Sequence, residues 1–61
     1  MNIKLGSRWA GAGYRQIFVV LAEVELDDGI WIHYREEFAE PVKEYSCYRD
    51  SFLSRFTELP E

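Results

Sequence analysis

The segment Leu26-Asp27-Asp28-Gly29 constrains this chain more than any other, because it separates two apolar runs, Gln16–Leu26 and Ile30–Phe38, in the pattern of a β-hairpin. Aspartate suits the central positions of a type I turn. Gly29 can take the positive φ that a side chain opposes, so the sequence predicts a three-residue loop closed by a glycine bulge. That register pairs Leu26 with Ile30, Val24 with Ile32 and Ala22 with Tyr34 on one apolar face. The other face then sets Glu25 opposite Trp31, Glu23 opposite His33 and Leu21 opposite Arg35. A two-residue loop at Asp28-Gly29 would slide the pairing and mix Val24 with His33 and Leu26 with Trp31. The first register keeps one face uniformly apolar and is preferred.

With 61 residues the chain makes one domain, 1–61. A domain of this size buries only about 60% of its unfolded surface, so its stability margin is thin. Hydrophobic residues are 48% of the chain and aromatics 16%, which argues against disorder. So many rings either fill one dense core or serve a partner, and self-association into a homo-oligomer is the simplest partner. The lone Cys47 forms no internal disulfide, and no N-terminal segment resembles a signal peptide, so a cytoplasmic setting is expected. The longest apolar stretch, Ile17–Ala22, is far too short to span a membrane. A net charge of −4 argues against general nucleic-acid binding along a phosphate track. The acids gather at Glu23–Asp28 and Glu36–Glu44, which reads as a solvated surface ahead of mimicry of DNA.

Along the chain, Ile3 and Leu5 alternate with polar neighbours as a short first strand or its lead-in, broken at Gly6 and resumed at Ser7-Arg8-Trp9. Ala10-Gly11-Ala12-Gly13 reads as a flexible connection. The long second strand is apolar on both faces from Ile17 to Leu21 and polar on one face from Glu23, the pattern of a strand that bends across two layers. Glu40-Pro41 ends the hairpin pattern. Glu44–Tyr48 reads as the next strand, Asp50 as a helix N-cap, and Phe52, Leu53 and Phe56 as one side of a short helix. Leu59-Pro60-Glu61 is expected to close the chain beside the first strand. The fold class expected is mostly β: a small SH3-like barrel of four to five antiparallel strands with a short C-terminal helical turn.

Gly6-Ser7-Arg8-Trp9, the long apolar strand, Asp28-Gly29-Ile30-Trp31-Ile32-His33-Tyr34, Glu44-Tyr45-Ser46-Cys47 and Phe52-Leu53-Ser54-Arg55-Phe56 span most of the chain. Together they resemble small accessory proteins encoded by tailed bacteriophages. The resemblance implies an SH3-like barrel and an accessory role, and it carries no catalytic residues with it.

Candidate binding residues come from two patterns. Trp31, His33 and Arg35 recur at every second position and so share the outer face of the hairpin, where Trp and Arg are the types in which binding energy concentrates. The plainer reading of each is a cross-strand pair. The second pattern is that every arginine has an aromatic neighbour: Arg8-Trp9, Tyr14-Arg15, Tyr34-Arg35, Tyr48-Arg49 and Arg55-Phe56. Arginine forks onto phosphate or carboxylate, and rings stack on bases. Against this, neighbours on a strand point to opposite faces, and surface ion pairs explain arginines as well. Arg8, Trp9 and Arg15 join the candidates, flanking a glycine loop whose spacing matches no phosphate-binding fingerprint.

His33 is the sole histidine and Cys47 the sole cysteine, so neither a catalytic constellation nor metal-ligand spacing is present, and no cofactor is expected. The expected function is a non-enzymatic, phage-type accessory binding protein that sequesters or blocks a host component. Its partner would be a small anionic nucleotide held by Arg8, Arg15 and Arg35 between protomers, or a host protein covered by the Trp31/His33/Arg35 face. The alternative is an SH3-like adaptor that binds peptide, through an aromatic groove of Trp9, Tyr14, Trp31 and Tyr48, or nucleic acid, which the −4 charge disfavours.

Overall fold

Alternation of large apolar and β-branched residues makes strands of the two runs, and the computed structural model, which describes residues 3–11 and 15–60, places them centrally in one sheet. The elements are β1 (Arg8–Gly11), β2 (Ile17–Leu26), β3 (Gly29–Glu36), β4 (Glu44–Tyr48), α1 (Arg49–Arg55) and β5 (Phe56–Glu58). The sheet order is β4-β3-β2-β1-β5, with each neighbouring pair antiparallel. The domain is therefore mostly β, with five antiparallel strands and one short helix among the described residues. Ala10 and Gly11 belong to β1, whereas Ala12, Gly13 and Tyr14, expected to continue a flexible loop and to join a peptide groove, lie outside the described residues.

The sheet rolls up on its inner face. The rings of Tyr34 on β3 and Phe56 on β5 have centroids 5.3 Å apart, although β2 and β1 lie between those strands. Three strand spacings in a flat sheet would separate them by roughly 14 Å. Phe18 on β2 reaches the same Phe56 ring at 5.3 Å, and α1 closes over the roll with Phe52 stacked on Phe56 at 4.5 Å. Ile3, Trp9, Val20, Ile32, Tyr34 and Phe52 form the buried core. The lead-in segment is tied down through backbone bonds: the Gly6 N–H donates to the Val20 carbonyl at 2.8 Å, with Gly6 at φ +81°.

Trp9 is 3% exposed and meets Phe52 edge-on at 5.0 Å. Its indole N–H donates to the Ser7 hydroxyl at 2.8 Å, and that hydroxyl donates to the Lys4 carbonyl, so the buried polar atoms are satisfied in series. The helix starts earlier than the sequence predicts: Tyr48 is the N-cap, and Asp50 falls in the first turn, where its charge suits the helix dipole. The C-cap is Phe56, whose N–H donates to the Phe52 carbonyl, so the ring stack and the helix end are the same feature. The strand beside β1 is β5, three residues earlier than the expected Leu59-Pro60-Glu61; the Leu59 N–H extends that pairing by donating to the Arg8 carbonyl at 2.9 Å, and Glu61 lies outside the described residues.

The hairpin register differs from the expected one. Leu26 pairs with Gly29, Glu25 with Ile30, Val24 with Trp31, Glu23 with Ile32 and Ala22 with His33. The loop is thus Asp27-Asp28, and neither residue takes positive φ, which excludes the primed turns usual in two-residue hairpins. The residue after the loop, Gly29, does so, at φ +140°. Further along, a bulge between Val20 and Ala22 inserts Leu21 and shifts the pairing to Val20 with Tyr34 and Phe18 with Glu36. The bulge inverts the faces of β2: Phe18 and Val20 point inward, but beyond it Ala22 and Val24 share the outer face with His33 and Trp31. Glu23 and Glu25 turn to the inner side, opposite Ile32 and Ile30, where Glu23 lies 3.7 Å from Arg49.

Two substitutions test this architecture. Phe52 is fully buried, and Phe52→Ala is expected to cost about 3–5 kcal/mol. A chain of this length holds only about 3–9 kcal/mol in total, so urea denaturation should find the variant largely unfolded. A loss below about 0.5 kcal/mol, the range of a surface site, would contradict the packing. Gly29→Val should cost about 1–2 kcal/mol through its positive φ, and a Cβ there also sits 3.4 Å from the Tyr48 ring. An unchanged midpoint would disprove the turn geometry.

Candidate functional site

Because β3 is paired on both sides, its outward residues sit at the centre of cross-strand rows. One row is Tyr48–Trp31–Val24, the next Ser46–His33–Ala22, and the third Glu44–Arg35–Val19–Arg8. Trp31, His33 and Arg35 do share one face, as alternation predicts. Their neighbours on β2 are Val24, Ala22 and Val19, where the sequence pointed to Glu25, Glu23 and Leu21. The two-residue loop sets Val24 and Ala22 where the acids were expected, and the bulge beyond it sets Val19 beside Arg35, so this face is more hydrophobic than the sequence suggests.

The tip of the hairpin holds the aromatic pair in place. The Trp31 and Tyr48 rings lie 4.4 Å apart at 37°. The Tyr48 hydroxyl donates to Asp28 Oδ2 at 2.8 Å, and the Trp31 indole N–H donates to Asp28 Oδ1 at 3.2 Å. One turn carboxylate therefore anchors both rings through its two oxygens and joins the β2–β3 hairpin to the end of β4. The Tyr48 bond first, and the Trp31 bond second, hold the Asp28 carboxyl below its usual range. The same contact pushes the Tyr48 phenol up, helped by desolvation and by the nearby negative charge. Around the pair, Leu26 is 51% exposed, Tyr48 43% and Leu21 39%, with Val24 and Trp31 half-buried.

The other candidates separate from this group. Trp9 belongs to the core and presents no face to a partner. Arg8 grips Glu37 with both arms of its guanidinium, Nε to Oε2 at 2.7 Å and an Nη to Oε1 at 2.9 Å. That pairing raises the Arg8 pKa and commits the side chain within the fold. Arg35 lies half-buried between Val19 and Glu44 in the third row. Arg15 is exposed and lines a separate recess with Gln16, Ile17, Glu36 and Phe38. Of the peptide groove expected from Trp9, Tyr14, Trp31 and Tyr48, Trp31 and Tyr48 come together and Trp9 is core, while Tyr14 lies outside the described residues. Asp28 was legible in the sequence as a turn former alone; its role as a ring anchor depends on the β3–β4 register, for which no local signal exists.

Among the described residues no group of three His, Cys, Asp or Glu side chains could hold a metal ion, and no helix is long and apolar enough to cross a membrane. Cys47 is a half-buried free thiol packed against the core. No protein-family model, curated protein or solved structure matches the chain.

The anchor has a pH signature. An acid whose folded pKa is depressed contributes stability that is complete above its unfolded value, about 3.9 for aspartate, and lost as pH falls through the lowered folded value. In an NMR titration the Trp31 indole N–H should shift with a midpoint below that of free aspartate. Asp28→Asn, which exchanges one acceptor oxygen for a donor, should abolish that transition. A midpoint at or above the ordinary value would disprove the anchoring bonds.

Proposed function

We propose that this chain is a non-enzymatic binding module that docks a protein through the outer face centred on Trp31. The observation that carries this reading is the immobilised row Tyr48–Trp31–Val24, with Leu26 and Leu21 exposed beside it. Aromatic anchors fixed before binding lose little conformational freedom on association, and Trp and Tyr are the side chains that most often dominate interface energies. Trp31 and Tyr48 have already placed their polar atoms on Asp28, so their remaining ring surface can be covered without stranding a donor. His33 and the charged row of Arg35 and Glu44 form a polar border, the composition expected at the rim of an interface. In the phage-type setting that the resemblance implies, the partner is a host protein and the action is occlusion. The nucleotide form that uses Arg8, Arg15 and Arg35 is less favoured, because Arg8 is committed to Glu37 and Arg15 lines a different recess.

The test is affinity selection from bacterial lysate with the parent protein, Leu26→Glu and Thr57→Ala, followed by titration of whatever purified protein is retained. Leu26→Glu inserts a charge into the proposed face without touching the core, while Thr57→Ala alters β5, far from it in strand order. The expected result is binding weakened tenfold or more by Leu26→Glu, about 1.4 kcal/mol, and unaltered by Thr57→Ala. Equal loss in both variants, survival of binding in Leu26→Glu, or no retained protein would overturn the reading.

A further inference from the structure

On the opposite side of the sheet, the mouth of the roll is a recess of about 320 Å³ lined by Gln16, Phe18, Tyr34, Glu36, Tyr45, Arg55 and Phe56. Four of those seven lining residues are aromatic. Phe18 contacts Tyr45 at 6.2 Å and Phe56 at 5.3 Å, both near perpendicular, while Tyr34 and Tyr45 stack at 5.5 Å. Tyr34 is buried, Phe18 and Phe56 are half-buried, and Tyr45 is 42% exposed, so the outer rings are open to a visitor. The volume is at the lower end of the range for small-molecule sites, roughly 300–1,000 Å³.

Arg55 gives the recess its chemistry. Its guanidinium carbon lies 5.3 Å from the Phe56 ring centroid, its Nε–H donates to the Ser51 carbonyl at 3.3 Å, and it sits beside the Tyr34 hydroxyl and the Cys47 thiol. Those neighbours are a ring, a carbonyl, a hydroxyl and a thiol. Among the described residues no carboxylate pairs with Arg55, in a chain where acids outnumber bases 11 to 7. Glu36 and Gln16 line the same recess and bring an acceptor and an amide to it.

We infer that this mouth is a binding site for a single nucleotide, its base against Phe18, Tyr45 and Phe56, its phosphate on Arg55, and its N–H edge toward Glu36 and Gln16. A planar ring meets stacking surfaces, an anion meets a fork of donors, and a base edge meets polar groups that could read it. A polynucleotide is disfavoured by the same charge balance, since the recess is lined by one arginine and a chain of net charge −4 offers no phosphate track. The site is independent of the protein-docking face, which lies on the outer side of the sheet.

The experiment is a ¹H–¹⁵N NMR titration of the labelled protein with each of the four common nucleoside monophosphates, with the corresponding nucleosides and inorganic phosphate as controls. The expected result is saturable shifts at Arg55, Phe56, Tyr45 and Phe18 with at least one monophosphate. Affinity should fall tenfold or more in Arg55→Gln, recover in part in Arg55→Lys, and be unaltered in Leu26→Glu. The Arg55→Gln spectrum itself reports whether the variant stays folded, and Tyr45→Ala supplies a second, charge-neutral loss of stacking. Glu36→Gln should change the ranking among bases. No saturable shift with any monophosphate, full affinity in both Arg55→Gln and Tyr45→Ala, or equal affinity for phosphate alone or for a nucleoside would each overturn the assignment.

Discussion

The extra residue at Leu21 governs what each face of this sheet can become. Up to Val20 the inward residues of β2 are large and apolar, and they meet Tyr34 and the helix. One inserted residue then turns Ala22 and Val24 outward and Glu23 and Glu25 inward. The inner face is therefore divided: an aromatic region where the sheet curls over α1, and a polar region near the hairpin tip where Glu23 approaches Arg49. The outer face receives the apolar residues that a regular strand would have buried. Both proposed binding surfaces follow from that inversion. The outer one gains Val24 beside Trp31, and the inner one keeps its aromatics without extending them into a longer core.

Ring packing compensates for the small size of the domain. Phe52 touches Trp9, Tyr34 and Phe56, and Tyr34 touches Phe18, Tyr45, Phe52 and Phe56. Aromatic side chains bury more area per residue than aliphatic ones and gain about 0.5–1.5 kcal/mol per favourable pair beyond that area. Such a network lets a helix of two turns close the roll. It also leaves its outermost member, Tyr45, partly uncovered, because β4 is an edge strand. The exposed ring is a consequence of where the sheet ends.

Much of the fold was legible because it rests on local signals. Alternation gave β2, β3 and β4, the glycine gave the hairpin, and Phe52 and Leu53 gave the helix, whereas Phe56, expected on its face, is extended, caps its end and opens β5. The register was not legible, for a physical reason: an apolar face on Ala22, Val24 and Leu26 is compatible with core packing in an unbroken strand and with an outer patch after a bulge. Only the tertiary demand for Val20 and Tyr34 in one core decides between them. The arginine neighbour of Trp9 points to binding, yet the Trp9 indole N–H finds Ser7 two residues away, which makes Trp9 a satisfied core residue. Tyr48 and Asp28 come together only through β3–β4 pairing, 20 residues apart in sequence.

The recurrence of arginine beside an aromatic resolves along the same lines. In strands, adjacent residues point to opposite sides, so Arg8 lies outward while Trp9 is core, and Arg35 outward while Tyr34 is core. Tyr48 and Arg49 part at the start of the helix, Tyr48 to Asp28 and Arg49 toward Glu23. Arg55-Phe56 stands at the helix end, where strand alternation does not apply, and there the guanidinium does come over its neighbour's ring. Sequence adjacency becomes spatial pairing where the backbone leaves the strand. That is why the arginine at the mouth of the roll keeps company with rings, whereas Arg8 is taken up by a carboxylate of the same chain.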